Sequence, residues 1–207
     1  MTTLNQTLSA SSILSDIEIV ETFFSENGEG LIQPFTSYIV RNGLSYGLGS
    51  YGYDIRLSDE LYVFKDRDKS VTELIDPKRF NKNCLELAPL HHTQDRGKFF
   101  IIPANSFALG VAEEYIEMPP DVTGICLGKS TYARCAINVP ITPVEAGWKG
   151  HLTLEICNNT PADACVYAHE GIAQIVFFRG NPCRNTYENR SGKYQSQEKK
   201  VVFSKVD

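Results

Sequence analysis

The chain has 207 residues, 42% of them hydrophobic and 22% charged, with a net charge of −5. That length buries a sizeable core in one large or two small domains, and the acidic balance lacks the broad positive field of non-specific nucleic-acid binders. The six cysteines form no C-x-x-C pair and no window reaches the apolar length of a membrane span, which argues against a disulfide framework and against a membrane protein.

In chain order, residues 1–11 are expected to be a flexible polar leader, without the basic and apolar regions of a signal peptide. With thiols expected to be reduced, the predicted location is the cytoplasm. From Ser12 to Phe24, Ile13, Leu14, Ile17, Val20 and Phe24 recur at spacings of three and four. That spacing predicts a helix packed on a sheet, with Ser12 as N-cap. Short runs rich in β-formers follow: Tyr51–Leu57, Phe99–Pro103, Phe107–Ala112, Val122–Leu127, Ala136–Ile141, His151–Cys157 and Ala173–Phe178. Gly, Pro, Asn and Asp punctuate them, predicting a mainly β barrel or jelly roll rather than βαβ units. Residues 65–98 are charged and proline-broken, a long excursion expected to hold a little helix. The domain is expected to span 12–184. The polar stretch within 185–207, nearly devoid of aliphatics, is either a frayed tail or a closing segment.

Chemistry concentrates between Gly124 and Thr160. Gly128-Lys129-Ser130-Thr131 resembles the end of a phosphate-binding loop, but the first glycine of that motif is out of register. Two readings stay open: an ordinary capped turn, with Ser130 capping a short helix through Arg134, or a phosphate site built from exposed N–H groups, Lys129 and Arg134. In HLTLEIC, alternation puts Leu152, Leu154 and Ile156 on one face and His151, Thr153, Glu155 and Cys157 on the other. Glu155 is therefore either solvent-facing or an interior acid whose carboxyl burial would raise toward the range useful for proton transfer. Glu145, before Gly147 and Trp148, is a possible second acid or ordinary loop polarity. Zinc chemistry is disfavoured: His91 and His92 are adjacent, His169-Glu170 lacks the spacer of H-x-E, and Pro182-Cys183 has no second cysteine three residues on.

In their order, SYGYDIRL (50–57), GKSTYARC (128–135), TPVEAGWKGHLTLEICN (142–158), EGIAQIVFF (170–178) and SGKYQSQ (191–197) resemble the dCTP deaminase family, which shares its fold with the dUTP diphosphatases. The resemblance implies a distorted β-barrel or jelly-roll subunit with an N-terminal helix, and a homotrimer with active sites between subunits. It implies hydrolysis of a cyclic amidine C–N bond: dCTP and water give dUTP, for dUMP and dTTP synthesis, and ammonia. Mg2+ would ride on the triphosphate, with no zinc and no metal held by the protein, and dTTP is a candidate inhibitor. Glu155 matches the proton-shuttling acid; Ser130 and Arg134 match residues beside the water and base. The nucleotide-binding positions implied are Lys129 to Arg134 (with Thr131, Tyr132 and Ala133), Thr153, Leu154, Glu155, Gln174, Tyr187, Lys193 and Gln197. Tyr187, Lys193 and Gln197 would sit on the closing segment. Glu145 matches the acid that a dUMP-forming diphosphatase aims at water. A bifunctional deaminase–diphosphatase, or a diphosphatase alone, is thus the alternative, although the tail carries GKYQSQ instead of the diphosphatases' glycine-rich motif. Pro140 stands where relatives usually have a polar Asn or His.

Overall fold

The computed structural model describes residues 12–64, 74–140 and 142–205; the expected leader lies outside them. The helix α1 spans Asp16–Phe23, starting three residues later than the predicted Ser12 cap implies. Ser15 and Glu18 close a reciprocal capping box that starts it. Ahead of the cap, Ile13 and Leu14 are extended and pair with the last long strand: Leu14 N–H donates to Phe177 O at 3.0 Å. The buried helix face is accordingly Ile19 and Phe23, while Ile17, expected to be buried, is 67% exposed.

Three short strands lead into the sheet: β1 (Ile32–Gln33), β2 (Ile39–Val40) and β3 (Tyr46–Gly49). The long β4 (Gly52–Phe64) follows. Next come a 3-10 turn (Lys82–Cys84), β5 (Leu85–Leu87), β6 (His91–Thr93), β7 (Gly97–Ile102), β8 (Phe107–Glu117) and β9 (Val122–Gly128). A one-turn helix α2 (Ser130–Ala133) precedes β10 (Ile137–Asn138), β11 (Thr142–Val144), β12 (Lys149–Asn158), β13 (Ala164–Tyr167) and β14 (Gly171–Arg179). The predicted strand at 136–141 shrinks to two residues, ending before Pro140, whose missing N–H cannot join a ladder.

The main sheet runs β10-β12-β8-β4-β14-β9-β11, and a second sheet runs β13-β7-β6. β4 curls the main sheet. Its first half pairs with β14 over Tyr53–Arg56; its second half pairs with β8, with a register shift between Leu57 and Leu61. Such an irregularity bends the strand and steepens its twist. The mainly β, curled barrel-like architecture is as expected. Phe23 seals one side of the core against Phe177, ring centroids 4.4 Å apart.

Two acids are buried among the described residues, Glu114 and Asp54. Glu114 is 0% exposed, accepting from Arg56 Nε at 2.7 Å and from Arg56 N at 2.8 Å. Removing one partner of a buried pair strands the other charge. Glu114→Ala should therefore lose about 3–5 kcal/mol of unfolding free energy in a denaturant titration, and Glu114→Gln, which keeps an acceptor, distinctly less.

A smaller cluster of Leu85, Leu109, Val111 and Val201, with Phe64, Phe80, Phe107 and Phe203 against it, lies on the outer side of β8. Its two C-terminal members show that the last residues return to the body: Phe203 meets Tyr62 edge-on at 5.2 Å. No helix among the described residues is long and apolar enough to cross a membrane.

Candidate active site

β12 lies beside β8 and carries a register shift between His151 and Thr153. Leu154 and Ile156 enter the core as expected and Leu152 packs partly buried against it, while Leu152, Thr153 and Glu155 also reach the wall of a cavity of about 500 Å3. His151 lines a separate cleft with Glu113 and Tyr115.

Phe64, Phe107 and Leu109 form the apolar side of the cavity; Glu145 and Trp148 border it from the loop before β12, and Tyr187, Tyr194 and Gln197 from the C-terminal segment. Glu155 is half-buried, and desolvation pushes its carboxyl above the ordinary range. The thiols beside it supply no positive charge to offset that. Burial and then the nearby Glu155 carboxylate raise Cys126 to about 12, and the same two causes raise Cys157. Glu155 is thus a desolvated carboxyl rather than a solvated surface acid.

The C-terminal segment packs against the body. Trp148 Nε1–H donates to Tyr194 O at 2.8 Å, His151 N–H to Gln197 O at 3.0 Å, and Tyr187 N–H to Ala146 O at 2.9 Å. The Thr153 hydroxyl donates to Gln197 Oε1 at 3.0 Å and accepts from Val202 N–H at 3.1 Å. Glu145 borders the cavity but is ion-paired with Arg190 of this segment. Lys193 is exposed, 5.5 Å from the centroid of the Tyr194 ring, and does not line the cavity.

The other motif residues gather elsewhere. Lys129 is ion-paired with Asp54 and its Nζ lies 3.1 Å from Ser45 Oγ. Gln174 Nε2–H donates to the other Asp54 oxygen at 2.9 Å. Lys129, not Ser130, holds the N-cap position of α2, with no side-chain cap bond. Ser130 is the first helical residue, and its hydroxyl accepts from Arg134 Nη1 at 3.0 Å. Ser130, Thr131, Ala133 and Arg134 are exposed, and none lines the Glu155 cavity. Tyr132 and Leu154 turn their side chains into the core; the Tyr132 hydroxyl accepts from Tyr167 N–H at 3.0 Å. Either of the two presents only backbone to a ligand.

Sequence reasoning missed Asp54, Trp148, Tyr194 and Arg190. For Asp54 a signal existed, since an acid between Tyr53 and Ile55 in an otherwise apolar strand needs a cationic partner if buried; it is 4% exposed. For Arg190 no local signal distinguishes it from a solvated tail residue.

The dCTP deaminase-like family model matches residues 13–180. The chain belongs to this family. It is 50% identical over 171 residues to a dCTP deaminase of Sulfurovum sp. (strain NBC37-1), covering 82% of this chain and 86% of that one. Over 188 residues it is 46% identical to a dCTP deaminase of Novosphingobium aromaticivorans, covering 90% and 95%. The crystal structure of 2'-deoxycytidine 5'-triphosphate deaminase from Agrobacterium tumefaciens superposes with a TM-score of 0.58 at 19% identity, a likeness of fold. It covers 83% of this chain, which spans about half, 48%, of that longer one. The family match stops at residue 180, so the C-terminal segment that borders the cavity lies beyond it.

Proposed function

We propose that this protein hydrolyses dCTP to dUTP and ammonia. Relatives at 46–50% identity carry that name. The observation that carries the reading is Glu155: a desolvated carboxyl on the wall of a cavity of about 500 Å3, a size within the usual small-molecule range of about 300–1,000 Å3. Glu155 takes a proton from water as the oxygen attacks C4 of cytosine, and delivers it to N3. The tetrahedral centre then collapses with transfer of a second proton to the amino group, which leaves as ammonia. One carboxyl serves both transfers when its affinity for protons sits near operating pH. The triphosphate, remote from C4, supplies binding energy that fixes the ring against Glu155. The substrate enters as its magnesium complex, and the reaction is zinc-independent, in keeping with the missing H-x-E and P-C-x-x-C pattern. The dUTP formed would serve dUMP and dTTP synthesis in the cytoplasm.

Lys129, Ser130, Thr131 and Arg134 do not line the Glu155 cavity. We therefore assign them to the cavity of a neighbouring copy, in a homotrimer whose sites lie between subunits. Glu145 borders the same cavity, and this favours one second reading, a bifunctional enzyme that continues to dUMP and pyrophosphate. With purified protein, dCTP and Mg2+, ammonia should match dUTP while pyrophosphate stays far below it. Equal ammonia and pyrophosphate would establish the bifunctional reading; absence of ammonia release would overturn both.

A further inference from the structure

The strip Glu145–Gly150 receives the segment 186–197 closely. At two points it takes backbone or side chain directly against glycine. A Cβ on Gly147 would lie 2.5 Å from Thr186 Cβ, and one on Gly150 would lie 2.5 Å from Gln197 N. Between them Trp148 is 4% exposed, bonded to Tyr194 O. Around it the charges alternate in complementary order. Glu145 takes the Arg190 guanidinium, and Lys149 Nζ lies 3.5 Å from Glu188 Oε1. Arg190 also sits 5.3 Å from the centroid of the Tyr187 ring, which borders the cavity.

We propose that Arg190 and Glu188 are positioning residues: with Glu145 and Lys149 they form a charge-matched clasp that sets the register of segment 186–197 and so brings Tyr187 and Gln197 to the cavity. This deepens the deaminase reading and rests on it for the role of the cavity, and it gives Glu145 a task other than that of a second acid. The bonds from Ala146, Gly147 and Lys149 backbone hold the segment without selecting charge. The ion pairs do select it. In the reverse alignment Glu188 would face Glu145 and Arg190 would face Lys149, like against like. All four side chains are partly solvated, so the clasp is modest and weakens with salt. That suits a segment that has to open for each substrate and product.

Trp148, the chain's single tryptophan, reports on the segment through its bond to Tyr194. In the ligand-free, full-length protein, Arg190→Glu and Glu188→Lys should each red-shift its emission and increase its quenching by acrylamide, with unchanged far-UV circular dichroism. Each should raise KM for dCTP about fivefold, with kcat altered less. Combining Lys149→Glu with Glu188→Lys should restore the wild-type spectrum and KM. High salt should shift the wild-type spectrum toward that of the single variants. Wild-type emission in both single variants, or no recovery in the charge swap, overturns the clasp. A wild type that releases no ammonia from dCTP overturns the assigned activity, while the Trp148 spectra still decide the clasp.

Discussion

Glu155→Gln should bind dCTP almost as the wild type does and release ammonia about a thousandfold more slowly, the scale on which one positioned acid–base group contributes. The amide keeps the side chain's size and its place beside the cavity but can neither accept water's proton nor protonate N3. Calorimetric titration with dCTP together with an ammonia assay separates the two effects. A variant with substantial turnover would remove Glu155 from the chemistry. In the wild type, activity should fall as pH drops through the raised Glu155 value, because the starting form must be the carboxylate; the variant's residual rate should lack that limb.

The same substitution has a stability consequence of opposite sign. Burial raises the Glu155 carboxyl in the folded state, so between its unfolded and folded values the native protein holds more protons than the unfolded chain. Stability contributed by this group is complete below the unfolded value and is lost as pH rises through the folded one. At neutral pH Glu155 is thus a burden on the fold, and Glu155→Gln should melt at a higher temperature than the wild type. Near pH 3, below the unfolded value, where Glu155 is protonated in both states, the difference should shrink. An active-site acid that costs stability is the expected pattern where a charge is kept in a dry place for chemistry.

Mixing two impaired proteins should recover activity that neither has alone. Arg134→Gln removes the guanidinium that the Ser130 hydroxyl accepts from, on a helix that does not line the Glu155 cavity. If each site takes Glu155 from one copy and Arg134 from its neighbour, Arg134→Gln and Glu155→Gln subunits complement. In randomly reassembled cyclic oligomers at equal amounts, half of the cavities carry an intact Glu155. Half of those face an intact Arg134, so roughly one quarter of wild-type activity returns. Co-refolding followed by an ammonia assay measures it. No recovery in verified mixed oligomers would place both residues in a single chain's site and undo the shared-site assignment.

Much of the strand content was legible because β12, β9 and β14 alternate or run apolar between Gly, Pro and Asn breaks, and half-buried strands do so for a physical reason. The helix start was misread for an equally physical one. Ile13 and Leu14 continue a helical spacing into α1, yet their backbone pairs with β14. The S-x-x-E of Ser15 and Glu18 was the better marker, since a reciprocal cap satisfies two orphan N–H groups and spacing satisfies none. The face of Leu152, Leu154 and Ile156 was legible too, because Leu152 packs against the same core as the other two despite the register shift in β12.

By itself, the amino-acid sequence determined that this is a β-rich domain of the dCTP deaminase-like family, because apolar periodicity and the order of short motifs are local properties of the chain. The family resemblance also pointed to Glu155, which its local pattern left as either solvent-facing or interior. Only the tertiary structure decided that Glu155 is desolvated, that Thr153, Glu145, Tyr187 and Gln197 meet it at one cavity, and that Lys129 and Gln174 instead converge on the buried Asp54. Desolvation and ion pairing depend on what stands within a few ångströms in space. Asp54 and Gln174 are 120 residues apart along the chain, and nothing local to either announces the other.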